Sequence, residues 1–184
     1  MTAELQGAPR VRIDAHHHLW DPARAEYPWM VGEKAALRRR CGPEQLAPEL
    51  AEAGIQRTVV VQARSEVEET EELLRLAGAV PFIAGVVGWV DLTSPEIPAT
   101  LRRLRALPEA RWLVGVRHQV EDEPDPNWLR RADVRRGLHA VAEAGLVYDL
   151  LVLPPQIPAA VAVAQELTEL RFVVDHLAKQ RLAA

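Results

Sequence analysis

Six short apolar runs, each followed by a stretch with helical spacing, constrain the fold of this chain more than any other feature. The runs are rich in β-branched residues and too short for buried helices, so they predict strands. Near-continuous apolar runs are typical of parallel strands that are covered on both faces. The predicted strands are residues 11–16, 58–63, 82–90, 113–118, 146–152 and 170–175.

The segments between these runs have the spacing of helices. Residues 66–77 and 97–107 carry apolar side chains three or four apart, with charged residues between them. A third helix is predicted from Pro126 to about Ala144, before Gly145, and Pro158 predicts the start of another. After a longer first connection, strands recur about every 25 to 35 residues, the size of one βα unit. Strands that alternate with helices in this way form parallel sheets.

Two architectures accommodate six βα units: an open doubly wound sheet, and a barrel that lacks its last units. A dinucleotide-binding open sheet would carry Gly-x-Gly-x-x-Gly after its first strand. Here the first predicted strand leads into His16, His17 and His18, and the sequence has no Gly-rich phosphate loop. We therefore predict a TIM-like (β/α)8 barrel with about six of its units present. Without a linker or composition break, residues 1–184 are expected to form a single, incomplete domain.

Composition argues against several classes of partner. The formal net charge is −4, whereas a nucleic-acid partner would call for a basic patch. The single cysteine excludes a disulfide framework. No stretch approaches the ~20 apolar residues of a membrane span, and residues 1–10 lack the apolar run of a signal peptide. We expect a cytoplasmic protein without nucleic-acid or membrane partners.

The first predicted strand carries the main chemical signal. Side chains alternate along a strand, so His16 and His18 share one face with Asp14, and His17 points the other way. If that face lines a barrel, both histidines stand at the carboxyl end of the strands, where such barrels have their active sites. Two imidazoles at this spacing can bind one divalent cation. The pattern predicts a metal or catalytic role for His16 and His18 and a structural role for His17.

Later strand ends supply further candidates. The fourth predicted strand ends in Arg117 and His118, of which alternation lets only one face the lumen; the sequence does not decide which. The sixth is followed by His176, a natural third ligand or acid/base group.

Three more residues are candidate substrate contacts. Asp149 interrupts an apolar strand and is costly to bury unpaired, so it is either a pocket residue or half of a structural salt bridge. Trp89 and Asp91 end the third predicted strand, where packing against the barrel mouth is the simpler interpretation.

Several motifs occur together and in order. They are Ile-Asp-Ala-His-His-His-Leu-Trp-Asp at 13–21, Val-Val-Gln-Ala at 60–63, Gly-Val-Val-Gly-Trp-Val-Asp-Leu at 85–92, Gly-Val-Arg-His-Gln-Val at 115–120, Asp-Glu-Pro-Asp-Pro at 122–126, Tyr-Asp-Leu-Leu-Val at 148–152 and Val-Asp-His-Leu-Ala-Lys at 174–179. With these motifs the chain resembles the amidohydrolase-related family of the amidohydrolase superfamily. Within it, the chain is most similar to the sugar-lactone hydrolases and the pyrone-dicarboxylate lactonases, over nearly the whole sequence.

This resemblance implies a hydrolase that opens a lactone ring at the barrel mouth, acting on a small-molecule lactone or carboxylate. It implies His16, His18 and His176 as the histidines that hold one zinc-like divalent ion, and metal-independent catalysis is equally in keeping with this branch. It also implies that Arg117 or His118 helps to hold the lactone, and that His176 takes part in catalysis.

The chain departs from the family pattern in three ways. Strand four does not end in the lysine or glutamate of two-metal members, and strand five offers Asp149 in place of their histidine, so a two-metal site is not expected. The family continues with Lys-Pro after the strand-six histidine, whereas Gln180 follows Lys179 here.

The third departure concerns the water-activating aspartate, which the family places in an Asp-Trp-Pro segment after strand eight and which these 184 residues lack. Because a complete barrel needs roughly 250 residues, we expect strands seven and eight to be missing and the chain alone to be inactive or nearly so. The alternatives are a metal-dependent decarboxylase or amidohydrolase of the same superfamily and a non-catalytic barrel fragment, with a homo-oligomer also open.

Overall fold

The computed structural model describes residues 11–180 and contains six parallel strands in one sheet. The strands are β1 (Ile13–His17), β2 (Arg57–Val61), β3 (Ile83–Gly88), β4 (Leu113–His118), β5 (Val147–Leu150) and β6 (Arg171–Val174). Every predicted strand is confirmed, with ends that differ by about two residues or fewer. Within the described residues, no helix is long and apolar enough to cross a membrane.

Five α-helices connect and flank the strands: α1 (Pro43–Ala53), α2 (Val67–Ala79), α3 (Ile97–Arg105), α4 (Ala132–Glu143) and α5 (Ile157–Glu166). The sequence did not predict α1, which lies in the long first connection. Its ends nevertheless follow a familiar asymmetry, with Pro43 in the first turn and Gly54 in the left-handed conformation just after the last turn.

The predicted helix 126–144 is wrong at its beginning. A separate 3₁₀ turn, Trp128–Arg130, buries Trp128 and Leu129, and the extended Arg131 then separates this turn from α4. The predicted end is confirmed, because Gly145 has a φ of +67° and its N–H bonds the carbonyl of Ala142.

The strands lie beside one another in the order in which the chain presents them, from β1 to β6, and each neighbouring pair is parallel. A doubly wound open sheet reverses its strand order at a switch point, whereas a barrel adds each strand next to the one before it. The fold is therefore a curled half-barrel with alternating helices, as expected for a TIM-like α/β barrel with six of its strands.

The apolar core lies between the sheet and the helices, while β1 and β6 are the edges of the sheet. Leu104 and Leu138 of the helices and Tyr148 of β5 are fully buried in this core. At the edges, by contrast, Ile13 and Val174 are about half exposed, at 55% and 53%. Edge strands expose unpaired backbone groups that invite pairing with a further strand. These same two edges carry or precede the residues of the candidate site.

Candidate active site

Side chains from the two edges meet across the lumen. The Nδ1 atom of His16, on β1, lies 3.5 Å from Oδ1 of Asp175, which follows β6. The ring of His176 is 4.7 Å from the ring of His16, measured between centroids. The structure thus brings His16 and His176 together, as the metal-site prediction requires, and adds Asp175 to them.

His18 contacts this group only through His16. Its Nε2 lies 3.2 Å from Nε2 of His16, and its Nδ1–H donates to the carbonyl of Val61 at 2.8 Å. Burial, and then the charge of Arg117, lower the pKa of His18 to about 4. His18 is therefore neutral at pH 7, with the Nε2 lone pair directed at His16.

The other residues around β1 have local roles. His17 points to the opposite face, as alternation predicts, where its Nε2 hydrogen-bonds the hydroxyl of the buried Thr58 at 2.9 Å. Asp14 accepts a hydrogen bond from the backbone N–H of His16 at 3.1 Å. The contacts of both residues hold the strand in place.

On β4 the structure decides between the two candidates, because Arg117 enters the lumen. Its guanidinium donates to Oδ2 of Asp175 at 3.0 Å through Nη1, and to the carbonyl of Gln62 at 2.7 Å through Nη2. Nη1 is also 3.3 Å from Nε2 of His16. Burial raises the pKa of Asp175, but hydrogen bonds from His16 and Arg117 outweigh it and leave that pKa lowered. Asp175 is consequently the ionised partner of Arg117.

His118 lies on the other side of β4, inside an aromatic cluster. Its Nδ1 accepts the indole N–H of Trp89 at 3.0 Å, and its Nε2 is 2.7 Å from a carboxylate oxygen of Glu123. The ring stacks on Trp128 with centroids 4.4 Å apart. Because an indole can only donate, Nδ1 is the acceptor and Nε2 carries the proton. With both nitrogens engaged, His118 holds the strand ends in position, and its role toward a lactone stays a prediction.

Of the remaining candidates, Asp91 lies in a turn at the surface and Asp149 is a buried carboxyl group. Asp91 is exposed and accepts hydrogen bonds from the N–H and hydroxyl of Thr93, at 2.9 and 2.6 Å, which places it in a local turn. Asp149 is buried on β5, in register with Arg117. Burial, and then the charge of Asp175, raise the pKa of Asp149 to about 6.

We expect the carboxyl group of Asp149 to make the protein less stable as the pH rises from about 4 to about 6. The folded pKa of Asp149, about 6, exceeds the ~3.9 of an unfolded aspartate, so the folded state keeps a proton that the unfolded state has lost. The free energy of unfolding therefore falls across this window, by about 2–3 kcal/mol in total. Urea unfolding of the wild type and Asp149→Asn at several pH values measures the difference. Parallel pH profiles for the two proteins would contradict the expectation.

A left-handed turn after β6 allows the consecutive residues Asp175 and His176 to contact the same site. Asp175 and His176 would point to opposite faces if the strand continued. Instead β6 ends at Val174, and the chain enters a left-handed turn in which the φ angles of residues 176–179 are 50°, 54°, 54° and 49°. None of these residues is glycine, and this conformation costs L-residues roughly 1–2 kcal/mol each. Burial of Ala178 and an ion pair between Lys179 and Glu121 help to hold the turn.

Sequence reasoning assigned no role to Asp175 or to Gln62. Gln62 is fully buried at the end of β2, where it joins Arg117 to Gln119 by hydrogen bonds. Both residues are polar and interrupt or follow an apolar strand, which is the signal that identified Asp149. The same signal, applied evenly along the chain, would have found them.

The donor atoms fit a zinc-like ion. Two nitrogens that bind zinc tetrahedrally at 2.0–2.1 Å are about 3.3 Å apart, close to the 3.2 Å between Nε2 of His16 and Nε2 of His18. Within residues 11–180, His16, Asp175 and His176 also form a group whose ligand atoms all lie within 4.8 Å of one another. Nitrogen and carboxylate donors of this kind suit zinc.

Comparisons with known proteins agree with this geometry. A family model described as Amidohydrolase matches residues 13–183. The L-fucono-1,5-lactonases of Burkholderia ambifaria and Burkholderia multivorans are 39% and 35% identical to this chain, each over 94% of it. An amidohydrolase of Burkholderia multivorans, crystallised with bound zinc, superposes with a TM-score of 0.84 at 34% identity over 92% of this chain.

The match covers only part of each relative. The chain spans 59% and 57% of the two lactonases and 59% of the crystallised amidohydrolase. Because the family model matches nearly the whole sequence, from β1 past β6, the chain belongs to the amidohydrolase family.

Proposed function

We propose that this chain forms the histidine-bearing part of a hydrolase that opens the lactones of sugar acids. The observation that carries the proposal is the group of His16, Asp175 and His176 at the carboxyl ends of β1 and β6, which His18 joins through its contact with His16. The similarity of the chain to two L-fucono-1,5-lactonases supports a lactone as the substrate. A cytoplasmic location and a homo-oligomer stay predictions.

In this reaction water adds to the lactone carbonyl, the ring C–O bond breaks, and a hydroxy acid results. His176 is exposed, and burial followed by the neighbouring His16 lowers its pKa, so its imidazole is neutral at pH 7 and able to accept a proton. In the site without a metal, Arg117 and Asp175 hold His16 in place. A metal ion held by His16, His18 and Asp175 would polarise the carbonyl oxygen and leave His176 free to accept the proton.

The charges in the lumen favour a neutral, polyhydroxylated lactone over a dicarboxylate. The one lumen cation described above, Arg117, is already paired with Asp175. Asp149 adds a second carboxyl group, which a pKa of about 6 leaves mostly ionised at pH 7. In the site without a metal, a substrate that carries carboxylates would meet repulsion, whereas sugar hydroxyls can donate hydrogen bonds to carboxylates.

The test adds the part of a lactonase that the match to this chain does not cover. The chain is joined after Lys179 to the carboxyl-terminal part of the Burkholderia ambifaria lactonase, and the fusion is assayed against sugar-acid lactones, pyrone dicarboxylate, amides and aromatic acids. We expect hydrolysis of sugar-acid lactones by the fusion and little or none by the 184-residue chain. Turnover of amides or decarboxylation of aromatic acids alone would overturn the proposal.

A further inference from the structure

Nε2 of His16 lies 3.3 Å from the guanidinium of Arg117 and 3.2 Å from Nε2 of His18, with which it could bind a metal ion. We propose that the guanidinium of Arg117 and a divalent metal ion are alternative occupants of the lone pair on Nε2 of His16, so that a metal binds there only when Arg117 moves away. This inference goes beyond the lactone reaction and does not depend on it. It makes Arg117 the residue that decides how tightly the site holds a metal.

Two acceptor groups determine which ring nitrogens of His16 and His18 carry protons. The carbonyl of Val61 and the carboxylate of Asp175 can only accept hydrogen bonds. Nδ1 of His18, 2.8 Å from that carbonyl, and Nδ1 of His16, 3.5 Å from that carboxylate, therefore both carry the proton. When each ring carries only this proton, the two Nε2 atoms both present lone pairs, 3.2 Å apart.

Two facing lone pairs repel each other unless a cation or a donor relieves them. In this structure the donor is Nη1 of Arg117, at 3.3 Å from Nε2 of His16. An aromatic nitrogen has a single lone pair in the plane of its ring. It can accept a hydrogen bond from Arg117 or bind a metal ion, and it cannot do both.

Arg117 cannot leave this position freely. The residue is only 4% exposed, and its guanidinium also donates to the carboxylate of Asp175 at 3.0 Å and to the backbone and side-chain oxygens of Gln62 at 2.7 and 3.4 Å. A metal ion that displaces Arg117 from Nε2 of His16 would therefore have to disturb these contacts, and the buried positive charge of Arg117 would stay close to it. It would also compete with Arg117 for Asp175. Both effects weaken metal binding, because like charges at such distances repel even in a polar medium.

The experiment measures zinc affinity directly, by competition with a chromogenic chelator, on the full 184-residue chain. The variants are Arg117→Met, which removes the charge at similar length, and Arg117→Lys, which keeps it. We expect Arg117→Met to bind zinc at least about tenfold more tightly than the wild type, and Arg117→Lys to resemble the wild type. His16→Ala should abolish binding in each background. Equal or weaker zinc binding by a folded Arg117→Met, or no zinc binding by any of the three proteins, would overturn the proposal.

A second measurement covers the case in which Arg117→Met does not fold. Zinc is titrated into the wild type labelled with ¹⁵N-arginine, and the side-chain signal absent from Arg117→Lys is followed by NMR. We expect zinc to shift that signal as Arg117 leaves His16. Saturation with zinc while the signal stays unchanged would contradict the proposal. Neither measurement involves a lactone, so both can fail or succeed independently of the test of lactone hydrolysis.

Discussion

Replacing Asp175 by alanine is expected to lower the free energy of unfolding by about 3–5 kcal/mol, the usual cost of breaking a buried ion pair from one side. Arg117 and Asp175 are 4% and 3% exposed, and their atoms are 3.0 Å apart. Without Asp175, the buried guanidinium would lose the carboxylate with which it forms its ion pair. Because a domain of this kind is stable by only about 5–15 kcal/mol, this loss is a large share of the total. Urea unfolding at pH 7 without added metal measures it.

Two further variants show whether the effect belongs to the pair. Asp133→Ala removes the carboxylate of an exposed pair with Arg131 and should leave the unfolding midpoint unchanged. The double variant Asp175→Ala with Arg117→Met should recover much of the lost stability, since no unpaired charge then remains. If Asp175→Ala unfolds at the same urea concentration as the wild type, the pair does not stabilise the fold.

The largest expected effect on activity follows from His176→Ala in the fusion protein described above. An acid/base group in a reaction of this kind contributes about 10²–10⁴-fold to the rate, and lactone turnover should fall by that factor. The stability should hardly change, because the side chain of His176 is exposed and substitutions at such positions usually cost less than about 0.5 kcal/mol. Steady-state turnover and thermal unfolding of the same preparation separate the two effects.

His139→Ala is the matched control for this experiment. His139 is also an exposed histidine, but it lies on α4 and pairs with Glu169 at 3.5 Å, away from the carboxyl ends of the strands. Its removal should leave both turnover and unfolding unchanged. If His176→Ala retained full turnover, His176 would be excluded as the acid/base group.

Much of the fold was predictable because its signals are local. A short β-branched run, a helical spacing and a glycine such as Gly145 each depend on neighbours within a few residues, and these predictions were confirmed. The histidines that follow the first predicted strand, where an open dinucleotide-binding sheet would carry a Gly-rich loop, then favoured a barrel. The errors came where tertiary contacts outweigh local preference: burial of Trp128 and Leu129 replaces the first turns of the helix predicted over residues 126–144 by a 3₁₀ turn.

The candidate site was predictable only in part. Alternation along β1 correctly placed His16 and His18 on one face and His17 on the other. On β4 the same rule left Arg117 and His118 open, and the structure assigns Arg117 to the lumen through its contact with Asp175. Alternation states that two neighbours point to opposite faces, but it does not state which face is inside.

By itself, the sequence determined which segments are strands, the parallel order of the βα units and the shared face of His16 and His18. Only the tertiary structure decided that Asp175 and His176 both reach His16. That contact depends on the curl of the sheet, which brings β1 and β6 together, and on a left-handed turn formed without glycine. Neither leaves a local pattern in the chain, because contacts between the first and sixth strands join residues about 160 positions apart.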